Sequence, residues 1–419
     1  MERAKEGTAM RTGVWKTFGS LVLFALVLAA SGGAAAEPIT VEARAWAAAR
    51  KGTPIRWKAP DGLALPAAWK LVSAASGKEV PVQREGGQDG SFFFLLDEDL
   101  KTGENRRYRI EPAGEAAGPS RAECADIGGK HLVLRAGGKD VLRYNVGVVD
   151  PPAGIEPIFA RSGYIHPVWT PSGLVISNDF PANHKHHHGI WMPWTKAEFE
   201  GRPVNFWEEG YGLGKIECTG VDEKVSGPVY GGFRAIHRFV DLKAPGGPKT
   251  ALDETWEVKA YAVEGPFLAD FTSIQHPAGK SPLVLKEYRY GGFGFRGSGE
   301  WEGKDGVEFL TSEGKTRADG HATRARWCLL RGKVGGKPCA IGFLCHPGNF
   351  RFPQRMRIHD TEPFFNFTPC QVGDFVIEQG KPYVARYRIV VADGMMEAAE
   401  MESLWLEYAE PPRVEVVKD

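Results

Sequence analysis

The stretch TWEVKAYA, residues 255–262, sets Trp256, Val258 and Ala260 on one side and Thr255, Glu257 and Lys259 on the other. A period of two marks a β-strand with one buried and one wetter face. The same reading extends outward in both directions. HLVLRA (131–136) precedes it; residues 267–274 and 283–290 follow it, and YVARYRIVV (383–391) ends the series at Asp393-Gly394. Residues 327–330 and 339–344 read as a hairpin about the turn Gly332 to Gly336. No 3.6-residue period is sustained before residue 393. Beyond it, Met395, Ala398, Ala399, Glu402, Trp405 and Leu406 recur at helical spacing, which predicts a helix from an Asp393 cap through Tyr408, stopped by Pro411-Pro412.

Upstream, FFFLL (92–96) and residues 107–110 read as strands around a turn at 100–103, and AGEAAGPS (113–120) reads as a linker. The expected fold is therefore all-β. A small immunoglobulin-like β domain (37–117) is followed by a large two-sheet, supersandwich-like β-sandwich (121–412) with one C-terminal helix. The 52 glycines, 29 prolines and 23 phenylalanines agree with many short strands and tight turns.

Residues 1–36 carry a basic start (Arg3, Lys5, Arg11, Lys16), the apolar run LVLFALVLAA (21–30) and small residues at Ala34-Ala35-Ala36. This is the pattern of a cleavable secretory leader, and it predicts a periplasmic or secreted protein after cleavage near Ala36. Residues 18–30 supply only 13 residues of largely apolar character, short of the about 20 a membrane span needs. No membrane span is expected elsewhere. Lys plus Arg and Asp plus Glu both number 52, which argues against a nucleic-acid partner. The chain has no G-x-G-x-x-G, Walker loop or G-x-S-x-G elbow, so nucleotide cofactors and α/β-hydrolase chemistry lose support. The six cysteines form no C-x-x-C pair, and one hairpin disulfide, Cys328 to Cys339, is the pairing the turn would allow. Oligomeric state is not readable.

Four of the 11 histidines fall within His184-Lys185-His186-His187-His188. On an extended backbone His184, His186 and His188 would share one face and His187 the other. Three readings stay open: acid–base or ligand-binding histidines, a divalent metal held by His184 and His186 with Asp179 or Glu208, and a structural loop. No metal or other cofactor is the first expectation. Around the cluster lie Arg161, His166, Trp191, Trp194, Asn205, Phe206, Trp207 and Glu208, a mixture suited to sugars: aromatic rings pack on pyranose C–H faces while Arg, Asn and carboxylates bond hydroxyls. Three later segments repeat it, around His276, around Glu287-Tyr288-Arg289 to Arg296, and from His346 to Arg351. His187, His276 and Glu287 are the candidate catalytic proton carriers. Arg161, His166, His184, His186, Asn205, Trp207, Glu208, Arg289, Arg296, His346 and Arg351 are the candidate substrate-binding residues. The partner expected is a carbohydrate or glycoside on a concave sheet face. The activity would be of epimerase, lyase or hydrolase type. The alternatives are a metal-dependent enzyme and a non-catalytic glycan-binding or cell-envelope protein.

The stretches RSGYIHPVWTPSG (161–173), NDFPANHKHHHGIW (178–191), VNFWE (204–208), YGGFGFRG (290–297) and HPGNFRFP (346–353) resemble the PmoA-like domain of unknown function, found in secreted proteins of Planctomycetes, Verrucomicrobia and Bacteroidetes. The resemblance covers roughly residues 130–395. Members usually read H-P-H-H-R-G; here Lys185 stands for the proline and His188 for the arginine. The resemblance implies a galactose-mutarotase-like supersandwich and a setting in carbohydrate catabolism, with no established reaction. The family label borrows the name of a methane mono-oxygenase subunit. Such a subunit is a multi-span membrane protein, so this sequence argues against that activity.

Overall fold

The computed structural model describes residues 39–86, 90–113 and 120–417. The expected leader (1–36) and most of the expected linker (113–120) lie outside the described residues. The protein is all-β with a single C-terminal helix.

The largest sheet has eight strands, in the order Gly214–Val225, Tyr230–Asp241, Lys249–Tyr261, Phe267–Pro277, Tyr383–Asp393, Lys337–Cys345, Trp327–Val334 and Val307–Thr311. All its neighbours are antiparallel. The period of two seen at Trp256, Val258 and Ala260 holds, and all three are buried. A second eight-stranded sheet runs Met356–Ile358, Phe364–Phe367, Phe293–Arg296, Ile190–Trp191, Tyr164–Val168, Lys139–Asn145, His131–Ala136 and Ala122–Ile127. One core of apolar side chains joins the two sheets, including Trp256, Phe271 and Phe343 from the first and Ile165, Ile190, Phe293, Phe295 and Phe365 from the second. Sheets packed face to face in this way form a β-sandwich.

A polar chain also crosses that core. His237 Nδ1 lies 3.0 Å from Glu254 Oε2, and its Nε2 lies 2.5 Å from the Tyr144 hydroxyl of the opposite sheet. Glu254 also accepts from Ser273 Oγ at 2.6 Å and Gln275 Nε2 at 2.7 Å. Every member is thus hydrogen-bonded, the condition under which a buried polar group is tolerated.

The helix is shorter than the sequence suggests, Ala398–Ala409. Asp393 does not cap it but ends the strand Tyr383–Asp393, because the apolar alternation of 383–391 continues through the ladder. Met401, Leu404, Trp405 and Tyr408 pack on the large sheet together with Trp327, Leu329, Leu344 and Val390. The expected strand 283–290 stops at Leu285; the charged residues that follow leave the ladder. All six cysteines are free. Cys328 faces Phe343 and Cys339 faces Gly332 in the hairpin register, so the expected disulfide does not form.

Residues 39–112 build two small sheets around their own core of Val41, Ile55, Trp57, Leu71, Phe94, Tyr108 and Ile110. One is Pro54–Lys58, Ser91–Leu95 and Val82–Arg84. The other has five strands, of which four come from this segment and the fifth, Arg413–Val417, comes from the C-terminal end and pairs with Ile39–Arg44.

Candidate active site

In the second sheet, Ile190, Phe295, Phe365 and Ile358 lie side by side in register and all enter the main core. The next row, Trp191, Gly294, Asn366 and Arg357, must then face the other way. Tyr164, Trp191, Trp207 and Phe364 form a separate apolar cluster on that outer face. Gly294 sits close beneath it: a Cβ would meet Trp207 at 3.3 Å and Trp191 at 3.4 Å, so the rings would have to give by a few tenths of an ångström.

The histidine-rich loop lies against this face. It is not extended. His184 N–H donates to the Pro181 carbonyl and His187 N–H to the His184 carbonyl, and these tight turns abolish the expected i, i+2 alternation. His184, His186 and His187 therefore line one cavity, and His188 alone points elsewhere, its Nδ1 2.6 Å from Asp179. Gly189 closes the motif, where a Cβ would lie 2.3 Å from the Ile165 carbonyl oxygen. Because that oxygen is backbone of the neighbouring strand, Gly189→Ala should cost about 1–3 kcal/mol by displacing the loop; a thermal midpoint equal to wild type would refute this account.

The cavity measures about 170 Å³ and is lined by His184, His186, His187, Glu208, Arg289, Tyr290, Arg357, His359 and Phe364. His186 Nδ1 lies 2.6 Å from Glu208 Oε2. Asn205 fixes Glu208 by accepting its backbone N–H at 3.0 Å and that of Trp207 at 2.8 Å, a short side-chain-closed turn. His187 is buried between His184 and Phe364, with ring centroids at 4.6 and 4.8 Å. Burial, then the charges of His186 and Arg296, holds it well below the usual histidine range, so it is neutral. His184 Nδ1 lies 3.0 Å from Glu362 Oε1. Arg296, fully buried, donates from Nη1 to Glu362 at 2.5 Å, from Nη2 to Asn183 at 3.1 Å and also to Glu302. Burial works to raise the Glu362 carboxyl, but His184, Arg296 and His359 outweigh it and hold it at about 2.

The candidate residues divide accordingly. His184, His186, His187, Glu208 and Arg289 meet at the cavity, with Trp207 and Arg296 directly behind it. Arg161 is instead locked in a buried ion pair with Glu209. His166 lies beside the same sheet face, Nδ1 2.9 Å from Ser177 Oγ. His276 is exposed on the large sheet, opposite Asp253, and Glu287 is exposed with its backbone N–H on Asp374. His346 packs on Tyr408 of the helix, and Arg351 donates to the carbonyls of Pro369, Gly373 and Asp374. None of these last four lines the cavity: Glu287, only two residues before Arg289, is exposed instead, and the other three lie on other segments. Asp179 likewise joins His188 and Tyr164 rather than His184 and His186. The residues that sequence reasoning missed are Arg357, His359, Glu362 and Phe364. The mixture of Arg, His and acidic residues with two phenylalanines in RIHDTEPFF (357–365) is the signal they carry.

His184, His187 and Glu362 offer ligand atoms that all lie within 4.8 Å of one another. Arg296 already sets a cation against two of the three, its Nη1 lying 3.4 Å from His187 Nδ1.

Burial also pushes the partly buried His166 down to about 4. A histidine whose pKa is lower in the folded chain than unfolded makes stability fall as pH drops below the unfolded value of about 6.5. His166 alone accounts for about 2–3 kcal/mol by pH ~4, and His187 and His359 shift in the same direction. Glu362, held at about 2, keeps its own contribution until the ordinary carboxylate range is reached. Denaturation midpoints should therefore fall steadily between pH about 6.5 and 4.5, and a flat profile there would contradict the neutral buried histidines.

Among the described residues no helix is long and apolar enough to cross a membrane. No curated protein matches the chain. An alpha-mannosidase from Enterococcus faecalis V583, known from its crystal structure, is similar at a TM-score of 0.49 and 8% identity; the match covers 92% of this chain and 46% of the mannosidase chain. The chain thus spans under half the length of that solved structure. Residues 131–406, which carry every residue of the cavity, match the family of unknown function DUF6807, and the chain belongs to that family.

Proposed function

We propose that the protein binds a sugar or glycoside in the histidine cavity and moves protons on it, as an epimerase, lyase or hydrolase. The observation that carries this reading is the His186–Glu208 pair at 2.6 Å. A carboxylate on Nδ1 fixes the imidazole tautomer and orientation and leaves Nε2 to take or give a proton. His187, held neutral, supplies a second imidazole beside it. Tyr290 and Phe364, with Trp207 packed behind Tyr290, supply the aromatic surface that pyranose C–H faces favour. The PmoA-like resemblance supports the same reading, because two of its motifs, 178–191 and 204–208, contain His186 and Glu208. The leader at 1–36 would deliver the protein to the periplasm or beyond, where polymeric sugars are met.

The experiment is a screen of purified protein, its leader removed, against mono- and oligosaccharides, read by product formation and by tryptophan fluorescence. Sugar-dependent turnover that His186→Ala abolishes is the expected result. Binding without any product would leave a glycan-binding protein; neither binding nor product would sink the reading. A metal-dependent reaction is favoured by one observation, the His184, His187 and Glu362 group. Elemental analysis separates the two: stoichiometric metal lost on His184→Ala supports the metal reading, and its absence removes it.

A further inference from the structure

The cavity wall is unusually rich in donors. His359 Nδ1 accepts the backbone N–H of Glu362 at 3.3 Å, so the ring proton of the neutral imidazole sits on Nε2. His187 Nδ1 faces Arg296 Nη1 at 3.4 Å, which places its proton on Nε2 by the same logic. The two carboxylates near the cavity are already engaged, Glu208 with His186 and Glu362 with Arg296 and Asn183.

Two guanidinium groups at the cavity have no close carboxylate partner. Arg357 has only 12% of its side chain exposed, donates once, to the Ile358 carbonyl at 3.2 Å, and has its nearest carboxylate, the 82% exposed Asp360, at 3.8 Å. Arg289 lies over the Tyr290 ring at 5.5 Å, and among the described residues no carboxylate comes within ion-pair distance of it. Burial lowers the pKa of Arg357, opposed first by the Asp360 carboxylate and then by Glu362, while the neighbouring Arg289 charge adds to the lowering. Arg289 is exposed, but Arg357 is a largely buried cation whose ion pair with the exposed Asp360 is long, and an incoming anion would relieve the cost of that burial.

We propose that the sugar carries an acidic group, a carboxylate or a sulfate ester, received by Arg357 and Arg289. This rests on the carbohydrate reading above and narrows it to acidic sugars. A guanidinium presents paired N–H donors in a plane that matches either group, and the two arginines lie on the wall they share with the proton-transferring His186. A uronate would thus be bound through its carboxyl while its ring lies against Tyr290 and Phe364.

The test is titration of wild-type protein, Arg357→Gln and Arg289→Gln with glucuronate, galacturonate, their neutral hexoses, and galactose 6-sulfate, followed by tryptophan fluorescence or calorimetry at low and high salt. The acidic sugar should bind at least about tenfold more tightly than its neutral counterpart, the worth of one charge-assisted hydrogen bond. High salt and Arg357→Gln should each erase that preference, read as the ratio of acidic- to neutral-sugar affinity. Whether uronates or the sulfate ester show the preference decides which acid is read. Equal binding of acidic and neutral sugars overturns the proposal but leaves the carbohydrate reading standing, as does Arg357→Gln weakening both equally. If no sugar binds at all, the carbohydrate reading fails and this inference falls with it. Arg357 lies at the cavity wall rather than in the core, and circular dichroism of the variant checks its fold.

Discussion

Replacing Arg296 with methionine should destabilise the protein by about 3–5 kcal/mol, the usual cost of breaking a buried ion pair from one side. The side chain is fully buried and holds Glu362, Glu302 and Asn183 at once while lying against His187. Methionine fills much of the volume but leaves the Glu362 carboxylate, with 8% of its side chain exposed, without its buried cation and held by Asn183 and His184. That carboxyl would then lose one of the groups that hold it at about 2 and would take up a proton more readily. Lysine should not rescue, because a single ammonium cannot reproduce a fork that reaches three partners. Adding Glu362→Gln to the methionine variant should recover part of the loss, since it removes the unpaired charge. Urea denaturation at neutral pH measures all four proteins. A loss under about 1 kcal/mol for Arg296→Met would show that this network does not hold the site together.

His186→Ala should lower turnover on the substrate by about 10²- to 10⁴-fold, the range for removing a positioned general acid or base. Glu208→Gln should cost less, because the amide still fills the space 2.6 Å from Nδ1 but no longer favours a protonated ring. It should also shift the acidic limb of the pH–rate profile, which a purely structural role would not do. The two changes should not add: with His186 gone, Glu208 has no ring to orient, so the double variant should match His186→Ala. Both side chains are only partly buried, so the fold should survive each change. Unchanged turnover in His186→Ala, or full additivity in the double variant, would remove the pair from the mechanism.

The strands were readable because period-two alternation is local. TWEVKAYA, HLVLRA and YVARYRIVV each carry their own evidence of two faces, and all three are strands of the sandwich. The histidine motif announced a site for a different reason: such a density of imidazoles is hard to explain by packing. Its internal geometry was not readable, because the turns at His184 and His187 depend on backbone bonds that composition does not encode. The partners of the motif were hidden by distance. Glu362 and Arg357 reach it only because the strands Met356–Ile358 and Phe364–Phe367 pair beside Phe293–Arg296. Strand pairing places His276 on the large sheet, and Glu287 leaves the ladder after Leu285 and is exposed, although their residue types looked equally suitable. Asp393 misled because an acidic residue before a helical pattern has the form of a cap, while the ladder it terminates is longer than its apolar run.

The pairing of Arg413–Val417 with Ile39–Arg44 sets an order of events during biosynthesis. On one side Ile39–Arg44 finds Asn105–Pro112 early, while on the other it waits for residues 413–417, which follow the helix Ala398–Ala409. Until then its open edge must be kept from pairing with other chains. A stop codon that removed only the residues after Pro412 would spare the cavity and the main core, yet it would leave every finished molecule in that unfinished state.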